Sequence, residues 1–520
     1  MIELMAKVFS DTLDRTPRTL LYLCLFLGAF FPGIAYFKDE PLVAQWFISI
    51  FVTLIIALYE TYRATYKKDD VLSIEISIGQ AATIVVACEC IYAILCSLLL
   101  DRSVQGTMNS STGLALYISL LLPFVLRNSV FAKGVEKAKV LSVVVIAIIT
   151  IFATECRTSM LCTVLIIMVA IEFRFRVPIK ARFISATIVV ILLAFFIFSG
   201  YKGGSTNGRW FILKNSIELI AEKPLKGYSE TGGFRKVYME KQAEYFKQNS
   251  EDGYAILADD IKHPLNEFVN IWINYGIVGG LGLVALLMIP LVVFFKKRSF
   301  IGICIMVTLV IFSMFSYPFQ YPLPSILLLI CNVLAFISVI KVRTNCCSRR
   351  NIIFVSLSLF IAIQCYLAHH FIRHAQWNKA AYKAVRGESG KMLSQFDELF
   401  AYFSDDIYFL YNYMAELYFN GHFKKALEIS LVLQKSMSSY NLELLTGDIY
   451  MQLGSYDKAI IHFEEASYMC PNRFAPLEGL YKAYDRTGDE LNKKRISNII
   501  ASKKVKIPSQ NVQRIKDTCR

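Results

Sequence analysis

Three residues that are far apart in the chain have side chains suited to chemistry on an anionic substrate. His263 lies in the stretch IKHPLNEFVNIWINYGIVGG, where a charged segment gives way to an apolar run, and it is the only histidine between residues 201 and 264. Arg157 and Arg209 lie in other polar stretches. A neutral imidazole can accept a proton near pH 7, and a guanidinium group binds anions through a planar pair of donors. Together the three side chains combine a proton acceptor with permanent positive charge.

The same residues also have an interpretation without function. Ionisable groups at membrane depth are costly and suggest a functional role, but long basic side chains can instead extend to lipid head groups. Arg157 is the only basic residue in the turn ATECRTSML, and Arg209 follows three glycines in GGSTNGRW. For His263, Pro264 and Asn266 suit the start of a helix, so the imidazole could simply belong to a helix terminus. The local sequence leaves both interpretations open.

Membrane helices must position these residues, because the chain is more apolar than a water-soluble domain needs to be. Of its 520 residues, 55% are apolar, and apolar stretches of roughly 17–25 residues with few charges predict membrane spans. The first stretch is long for a signal peptide and has no A-x-A-like cleavage site, so it is predicted to remain as a span. The predicted spans, about eleven in number, lie near residues 20–37, 42–61, 74–100, 112–131, 139–155, 158–173, 182–200, 265–295, 299–317, 322–340 and 351–370.

The positive charges predict the orientation of this helix bundle. Lysine and arginine residues cluster in every second connection between spans, whereas the other short connections carry almost none. The positive-inside rule places the clusters and the N-terminus in the cytoplasm and the C-terminus outside. The formal net charge of +14 is therefore mainly a topology signal, and nucleic acid is not a predicted partner. The clusters comprise Arg63, Lys67 and Lys68; Arg127, Lys133, Lys137 and Lys139; Arg174, Arg176, Lys180 and Arg182; Lys296, Lys297 and Arg298; and Lys341, Arg343, Arg349 and Arg350.

The predicted fold is all-α: a polytopic membrane helix bundle with a large outer loop and a soluble helical tail. Its regions are residues 1–200 with about seven spans, the extracytoplasmic loop 201–264, residues 265–370 with about four spans, and the tail 371–520. In the tail, Gly421, Gly454 and Gly488 are separated by 33 and 34 residues. The middle copy, GDIYMQLGSYDKAIIHFEEASYMCP, resembles the tetratricopeptide repeat, in which small residues let two helices pack closely. Such repeats present a concave surface, so the tail is predicted to bind a protein partner.

Cysteine and histidine spacing gives little support for disulfides or for a metal site. Of the 13 cysteines, eleven lie in or beside predicted spans, so a disulfide framework is not predicted. Cys88 and Cys90 lack the further ligands that zinc requires. His370 and His374 have an i, i+4 spacing just beyond the last predicted span, and we interpret them as interfacial anchors. Neither a metal nor another cofactor is predicted.

The order of the polar motifs resembles that of the O-antigen ligase/polymerase family, which also includes bacterial O-linked oligosaccharyltransferases. The motifs are Arg157 between two spans, G-R-W at 208–210, P-L-x-G-Y at 224–228, and His263 before an Asn, a Glu and the stretch YGIVGG. The resemblance covers about residues 150–290 and agrees with the orientation predicted from charge. Family members often have an asparagine directly after the histidine, whereas two residues intervene here before Asn266. The departure leaves open which polar residue assists His263.

The resemblance implies transfer of a glycan from a polyprenyl-diphosphate carrier to an acceptor hydroxyl, without a cofactor, at the periplasmic face of the bacterial inner membrane. Arg157 and Arg209 would stabilise the diphosphate as negative charge develops on it, and His263 would take the proton of the acceptor hydroxyl. The expected acceptor is a lipid A core sugar or a protein serine or threonine. The candidates for substrate binding are Trp210, Lys226, Tyr228, Asn266 and Glu267.

Other functions stay open as alternatives. A polysaccharide polymerase of the same family would use a growing glycan as its acceptor. A metal-dependent transferase would hold the diphosphate through a divalent cation on Asp259 and Asp260. A transporter or scaffold for polyprenyl-linked glycans has less support, since transporters usually show internal symmetry and no comparable halves occur in this sequence. The predicted outer repeat domain favours a protein acceptor slightly over a growing glycan.

Overall fold

A computed structural model describes residues 17–28, 43–66, 71–101, 103–108, 110–175, 203–249, 252–339 and 346–519. Within this part the fold is all-helical, without a β-strand, which confirms the predicted class. The predicted span at 182–200 lies outside the described residues, as do residues 29–37 of the first predicted span and the basic residues Lys67, Lys68, Arg176, Lys180, Arg182, Lys341 and Arg343.

The helices are numbered here in chain order. The first are α1 (Pro17–Gly28), α2 (Val43–Tyr66), α3 (Val71–Leu100), α4 (Ser111–Phe131), α5 (Gly134–Ala153), α6 (Arg157–Phe175), α7 (Gly203–Glu222), α8 (Phe234–Gln248), α9 (Glu267–Lys297), α10 (Phe300–Phe315) and α11 (Pro322–Val339). They are followed by α12 (Cys346–Lys383), α13 (Ser389–Phe400), α14 (Ile407–Phe419), α15 (Phe423–Ser436), α16 (Tyr440–Gln452), α17 (Tyr456–Met469), α18 (Ala475–Thr487), α19 (Glu490–Ser502) and α20 (Gln510–Thr518).

Among the described residues, five helices are long and apolar enough to cross a membrane. Their apolar spans are Val43–Glu60, Ser73–Leu100, Ser111–Phe131, Glu267–Lys297 and Pro322–Val339. The apolar helices α1 and α10 are shorter. These helices support a membrane protein, because a bilayer core requires about 20 apolar residues in a crossing helix. The larger total of about eleven spans stays a prediction.

The described helices divide into two compact units. The first takes its residues from 1–199 and 284–374, and the second takes them from 200–283 and 375–520. The predicted outer loop and the predicted repeat domain therefore belong to one unit. Two helices, α9 and α12, contribute residues to both units, and α12 passes the predicted boundary at residue 370 without ending.

The first unit is built around α4, which has 72% of its span buried. Helices α3, α5, α6 and α10 pack against it. Because neighbours surround α4, its sequence is apolar around most of its circumference instead of along one stripe. The buried hydroxyl groups of Ser119 on α4 and Ser159 on α6 lie 3.1 Å apart. This polar contact between helices fixes the start of α6, where Arg157 lies.

In the second unit, the consecutive helices α14 to α19 form helix pairs with a glycine in the turn of each pair. These glycines are Gly421, Gly454 and Gly488, with φ angles of 79°, 72° and 73°. Glycine adopts this left-handed conformation without the steric cost that a Cβ would bring, and it commonly ends helices in this way. The regular spacing of glycines in the tail therefore marks the ends of helices, while the assignment to the tetratricopeptide family stays a prediction.

A buried phenylalanine ring fills the space between neighbouring helix pairs. Phe463 on α17 is fully buried, and its ring lies against Gly447 on α16 and Gly479 on α18. A Cβ atom on Gly447 would lie 2.5 Å from the ring, and one on Gly479 would lie 2.7 Å from it. The two glycines lie against the ring of Phe463, and the absence of a side chain at each leaves room for it.

Gly447→Ala is expected to lower the apparent Tm of the full-length protein in detergent. The added methyl group overlaps the Phe463 ring, which has Gly479 behind it. Overpacking of this kind costs about 1–3 kcal/mol. Replacing glycine by alanine in a helix gains about 1 kcal/mol at most, so the net effect should be destabilising. Gly208→Ala is a matched control, because a Cβ there meets no atom within 4 Å. A melting curve of Gly447→Ala at or above that of the wild type would contradict this packing.

Candidate functional site

His263 lies in an irregular segment that leads into α9. Its side chain is half-buried, Pro264 is buried, and Leu265 has a left-handed backbone with a φ of 56°. That conformation is costly for a residue with a Cβ atom, and such strain is often found at functional sites. The side chain of Asn266 accepts a hydrogen bond of 3.0 Å from a backbone N–H three residues later. Asn266 therefore caps the helix that begins at Glu267, and the predicted helix start is confirmed.

A row of amide side chains follows this cap along one face of α9. Asn270 donates to the carboxylate of Glu267 at 2.9 Å, and Asn274 donates to the side-chain oxygen of Asn270 at 3.0 Å. The side-chain oxygen of Asn274 accepts the backbone N–H of Phe234 at 3.0 Å. Asn270 and Asn274 are not among the predicted site residues. Asn266, Asn270 and Asn274 follow one another at intervals of four residues, and this spacing would have revealed them because it places all three on one helix face.

The P-L-x-G-Y motif meets α9 where that helix is broken. Gly276 has a φ of 62° and a ψ of −160°, which are not helical values. The backbone N–H of Ile277 donates to the carbonyl of Pro224 at 2.9 Å, and the N–H of Tyr228 donates to the carbonyl of Ile273 at 2.8 Å. Both bonds satisfy backbone groups at the break, which would be costly to bury without partners. The motif therefore stabilises the break and is bonded directly to α9 on both sides of Gly276.

The predicted substrate-binding residues differ in their accessibility. Trp210 near the start of α7 is 66% exposed, and Lys226 is exposed in the turn after α7. Tyr228 is 6% exposed, and its hydroxyl donates to the carboxylate of Glu222 at 2.9 Å. Burial and, to a smaller extent, the bond to Glu222 raise the pKa of Tyr228. Trp210 and Lys226 are thus open to a ligand, whereas Tyr228 is packed inside the unit and its contact with a sugar stays a prediction.

The helix that carries Arg209 is joined to the segment that carries His263. Arg209 is exposed on α7, while Phe211, two residues later on the same helix, is 2% exposed. The ring of Phe211 stacks on Tyr254 with the centroids 5.0 Å apart, and it shares a small core with Ala258. Ala258 precedes His263 by five residues. The structure therefore places these two catalytic candidates on elements that pack together.

Arg157 is the first residue of α6, directly after the turn that ends α5. The first N–H groups of a helix have no partner inside the helix and carry partial positive charge. A guanidinium group at this position adds a full charge, so the start of α6 is suited to an anion. Arg157 belongs to the first compact unit, whereas Arg209 and His263 belong to the second.

The carboxylate of Asp259 forms an ion pair within the second unit. It accepts a hydrogen bond from the guanidinium of Arg473 at 2.8 Å, and this bond raises the pKa of Arg473. In the described ranges, no group of three or more His, Cys, Asp and Glu side chains is arranged to hold a metal ion. The pair Asp259 and Asp260 lies in these ranges, as do the pairs Cys88 and Cys90, and His370 and His374.

Residues 142–284 match the family model Wzy_C, which is described as O-Antigen ligase. Comparison with curated proteins gives no match. The matched range contains every predicted catalytic and substrate-binding residue and ends before the repeat helices. This similarity, together with the apolar helices, supports a membrane glycosyltransferase of the O-antigen ligase/polymerase family. A lipid-linked glycan donor is consistent with that family.

Proposed function

We propose that this protein transfers a glycan from a polyprenyl-diphosphate carrier to a hydroxyl group of an acceptor. The reaction takes place at the outer face of the bacterial inner membrane, with the N-terminus in the cytoplasm and the predicted outer loop and repeat domain in the periplasm. The observation that carries the proposal is the match of residues 142–284 to the O-antigen ligase model. This range unites Arg157, Arg209 and His263, whose chemistry suits the reaction.

His263 acts as the general base in this proposal. The acceptor hydroxyl attacks the anomeric carbon of the donor sugar, and the imidazole takes the hydroxyl proton. The bond from the anomeric carbon to the diphosphate oxygen breaks, and its electron pair leaves with the diphosphate. The helix cap at Asn266 and the core around Ala258 limit the motion of the segment between them, which supports this role. Because α9 is an apolar helix, His263, four residues before it, is suited to a place where a membrane-bound donor meets a water-side acceptor.

Arg157 and Arg209 stabilise the leaving diphosphate. Negative charge grows on the diphosphate as the glycosidic bond breaks, and positive charge already in place is often the largest contribution to such catalysis. A guanidinium group can bind two phosphate oxygens at once. Arg157 adds its charge to the N–H groups at the start of α6, and Arg209 extends from an exposed part of α7. The mechanism uses these side chains without a metal or another cofactor.

The remaining candidates bind the glycan or shape its site. Trp210 offers an exposed ring face to a sugar, and Lys226 offers exposed donors to its hydroxyl groups. Tyr228, Asn266 and Glu267 support the site through their contacts with Glu222 and with the backbone and amides of α9. In this arrangement Trp210 and Lys226 contact the substrate, and the other three residues stabilise the elements around the site.

The acceptor is a lipid A core sugar or a protein serine or threonine, and a growing glycan is the alternative. The helix pairs of the tail, with left-handed glycines in their turns, support a tetratricopeptide-like domain that docks a protein. That domain favours a protein acceptor or partner. The choice among the three acceptors depends on which glycan the cell loses when the protein is removed.

A deletion strain complemented with wild type, Arg209→Ala or Arg486→Ala tests this function. Surface glycolipid is read on a silver-stained gel and glycoproteins on a lectin blot, after the expression of each variant has been checked. A glycan band should disappear on deletion, return with wild type and Arg486→Ala, and stay reduced at least about tenfold with Arg209→Ala. Arg486 is the control because it is an exposed arginine on α18.

The missing band identifies the acceptor. Loss of glycan from the lipid A core indicates a ligase, loss of a glycoprotein indicates a protein transferase, and loss of chain length alone indicates a polymerase. Unchanged surface glycans in the deletion strain would contradict the proposed function. Full restoration by Arg209→Ala would contradict only the role of this arginine.

A further inference from the structure

We infer that the repeat helices hold the segment before His263 in place, with Gln242, Asn472 and Arg473 as positioning residues. This inference rests on the proposed function, because it concerns the placement of the proposed general base. The sequence predicts the tail as a module for binding other molecules, whereas the structure assigns part of its surface to the same chain's outer segment. The contacts involved all lie within the second compact unit.

Apolar packing joins the repeat helices to the helices of the outer segment. Helix α8 packs along α17, and a shared core contains Tyr238 of α8 with Tyr440 and Met469 of the repeat helices. Ile273 of α9 is fully buried in the same core, and Leu265 packs against it. The strained residue two positions after His263 therefore rests on a core that the repeat helices help to build.

On the other side of His263, hydrogen bonds from Asn472, in the connection between α17 and α18, and from Gln242 of α8 fix the preceding segment. The side-chain N–H₂ group of Asn472 donates to the carbonyl of Ile256 at 3.1 Å and also to the carbonyl of Ala258. The fully buried Gln242 on α8 donates to the carbonyls of Asp259 at 3.0 Å and Met469 at 2.6 Å. Three carbonyls of one short segment thus accept from Asn472 and Gln242, and all three lie within seven residues of His263.

The ion pair between Arg473 and Asp259 adds a weaker restraint. The two side chains are 50% and 46% exposed, and solvent screens such pairs so that they stabilise little. The side chain of Gln242 is fully buried, and loss of a buried donor leaves the carbonyls that it served without this partner. We therefore expect a larger effect from Gln242→Leu than from Arg473→Ala. Asn472 is half-buried, and its removal should have an intermediate effect.

The consequence for the reaction is geometric. A general base must stay within hydrogen-bonding reach of the proton that it takes. Misplacement of a catalytic group by about 1 Å can lower the rate about a hundredfold. Because the segment from Ile256 to Asp259 is held by Asn472, Gln242 and Arg473, release of these contacts should move His263 without removing any reacting group.

Hydrogen exchange of the full-length protein in detergent tests whether the segment is held. In Asn472→Ala and Gln242→Leu, the amides of residues 255–261 should exchange at least about tenfold faster than in wild type, while α19 exchanges as before. Lys493→Ala is the matched control, because it removes a 2.6 Å ion pair between Lys493 on α19 and Asp485 on α18, at the surface of the repeat helices. Wild-type exchange of residues 255–261 in both variants would overturn the inference.

Transfer measurements then test whether the held segment positions the base. Membrane vesicles from the expressing strain contain its own lipid-linked glycan, which serves as donor across a range of pH. Asn472→Ala should lower transfer about tenfold to a hundredfold and change the shape of the pH profile. If the variant merely contained less folded protein, the transfer rate would fall by the same factor at every pH. A pH profile of Asn472→Ala with the shape of the wild type would therefore overturn the positioning role.

The same vesicles separate this inference from the proposed function. The proposed function fails if wild-type vesicles transfer no more glycan than vesicles from the deletion strain. The positioning role fails if wild-type vesicles do transfer glycan and Asn472→Ala keeps the wild-type profile. The two failures are therefore distinct results of one experiment.

Discussion

His263→Ala is expected to lower glycan transfer about 10²–10⁴-fold, a loss of about 3–5 kcal/mol of transition-state stabilisation. Without the imidazole, the acceptor hydroxyl would have to lose its proton to water as it attacks the anomeric carbon. His263 is the only histidine of the predicted outer loop, so no neighbouring imidazole in that loop could substitute for it. The helix cap at Asn266 does not involve the imidazole, so the variant should keep the start of α9.

The measurement is the amount of glycan on the acceptor in a complemented deletion strain, with equal expression of each variant. His422→Ala is the matched control, because His422 is an exposed histidine directly before α15. His263→Gln should be as inactive as His263→Ala, since glutamine keeps polar atoms but cannot take the proton. Transfer at wild-type level by both His263 variants would show that this histidine has a structural role only.

Gly276→Ala is expected to abolish the folded protein or to lower its apparent Tm strongly. The backbone of Gly276 is in a region that is essentially restricted to glycine, where other residues cost about 1–3 kcal/mol. A Cβ atom there would lie 2.0 Å from the carbonyl oxygen of Leu225. Since backbone atoms cannot rotate away as a side chain can, the turn before Tyr228 would have to shift and give up its bonds to α9.

Gly282→Ala is the control for this prediction, because Gly282 lies on the same helix and a Cβ there meets no atom within 4 Å. It should express and melt like the wild type. Expression and thermal denaturation in detergent are measured for both variants. If Gly276→Ala melts like Gly282→Ala, the backbone at residue 276 does not have the conformation described above.

Local signals in the sequence predicted the features that depend on neighbouring residues. Pro264 and Asn266 predicted the helix start, because capping involves groups within one turn. The glycine spacing in the tail predicted a repeat, and each of these glycines has a left-handed backbone in the turn of a helix pair. The order of motifs predicted a resemblance over about residues 150–290, which agrees with the matched range 142–284.

Features that depend on distant residues were not predictable in this way. The predicted span 265–295 contains no sign that its helix breaks at Gly276, because the turn at Pro224 supplies the bonds that stabilise the break. Arg473 and Asp259 are 214 residues apart in the chain, and a single sequence contains no record of such a contact. For this reason the outer loop is predicted as separate from the tail, whereas the structure places both in one compact unit.

The packing of Gln242 against Met469 also has a consequence for biosynthesis. The two residues are separated by 227 positions, and ribosomes add about 5–20 residues per second. Helix α8 must therefore wait about 10–45 s after its synthesis before the partner for its buried face exists. During this interval Tyr238 and Met239, which are fully buried in the finished protein, have no covering from the repeat helices. A premature stop codon shortly before residue 440 would leave them in that state permanently, with the whole matched range of residues 142–284 already translated.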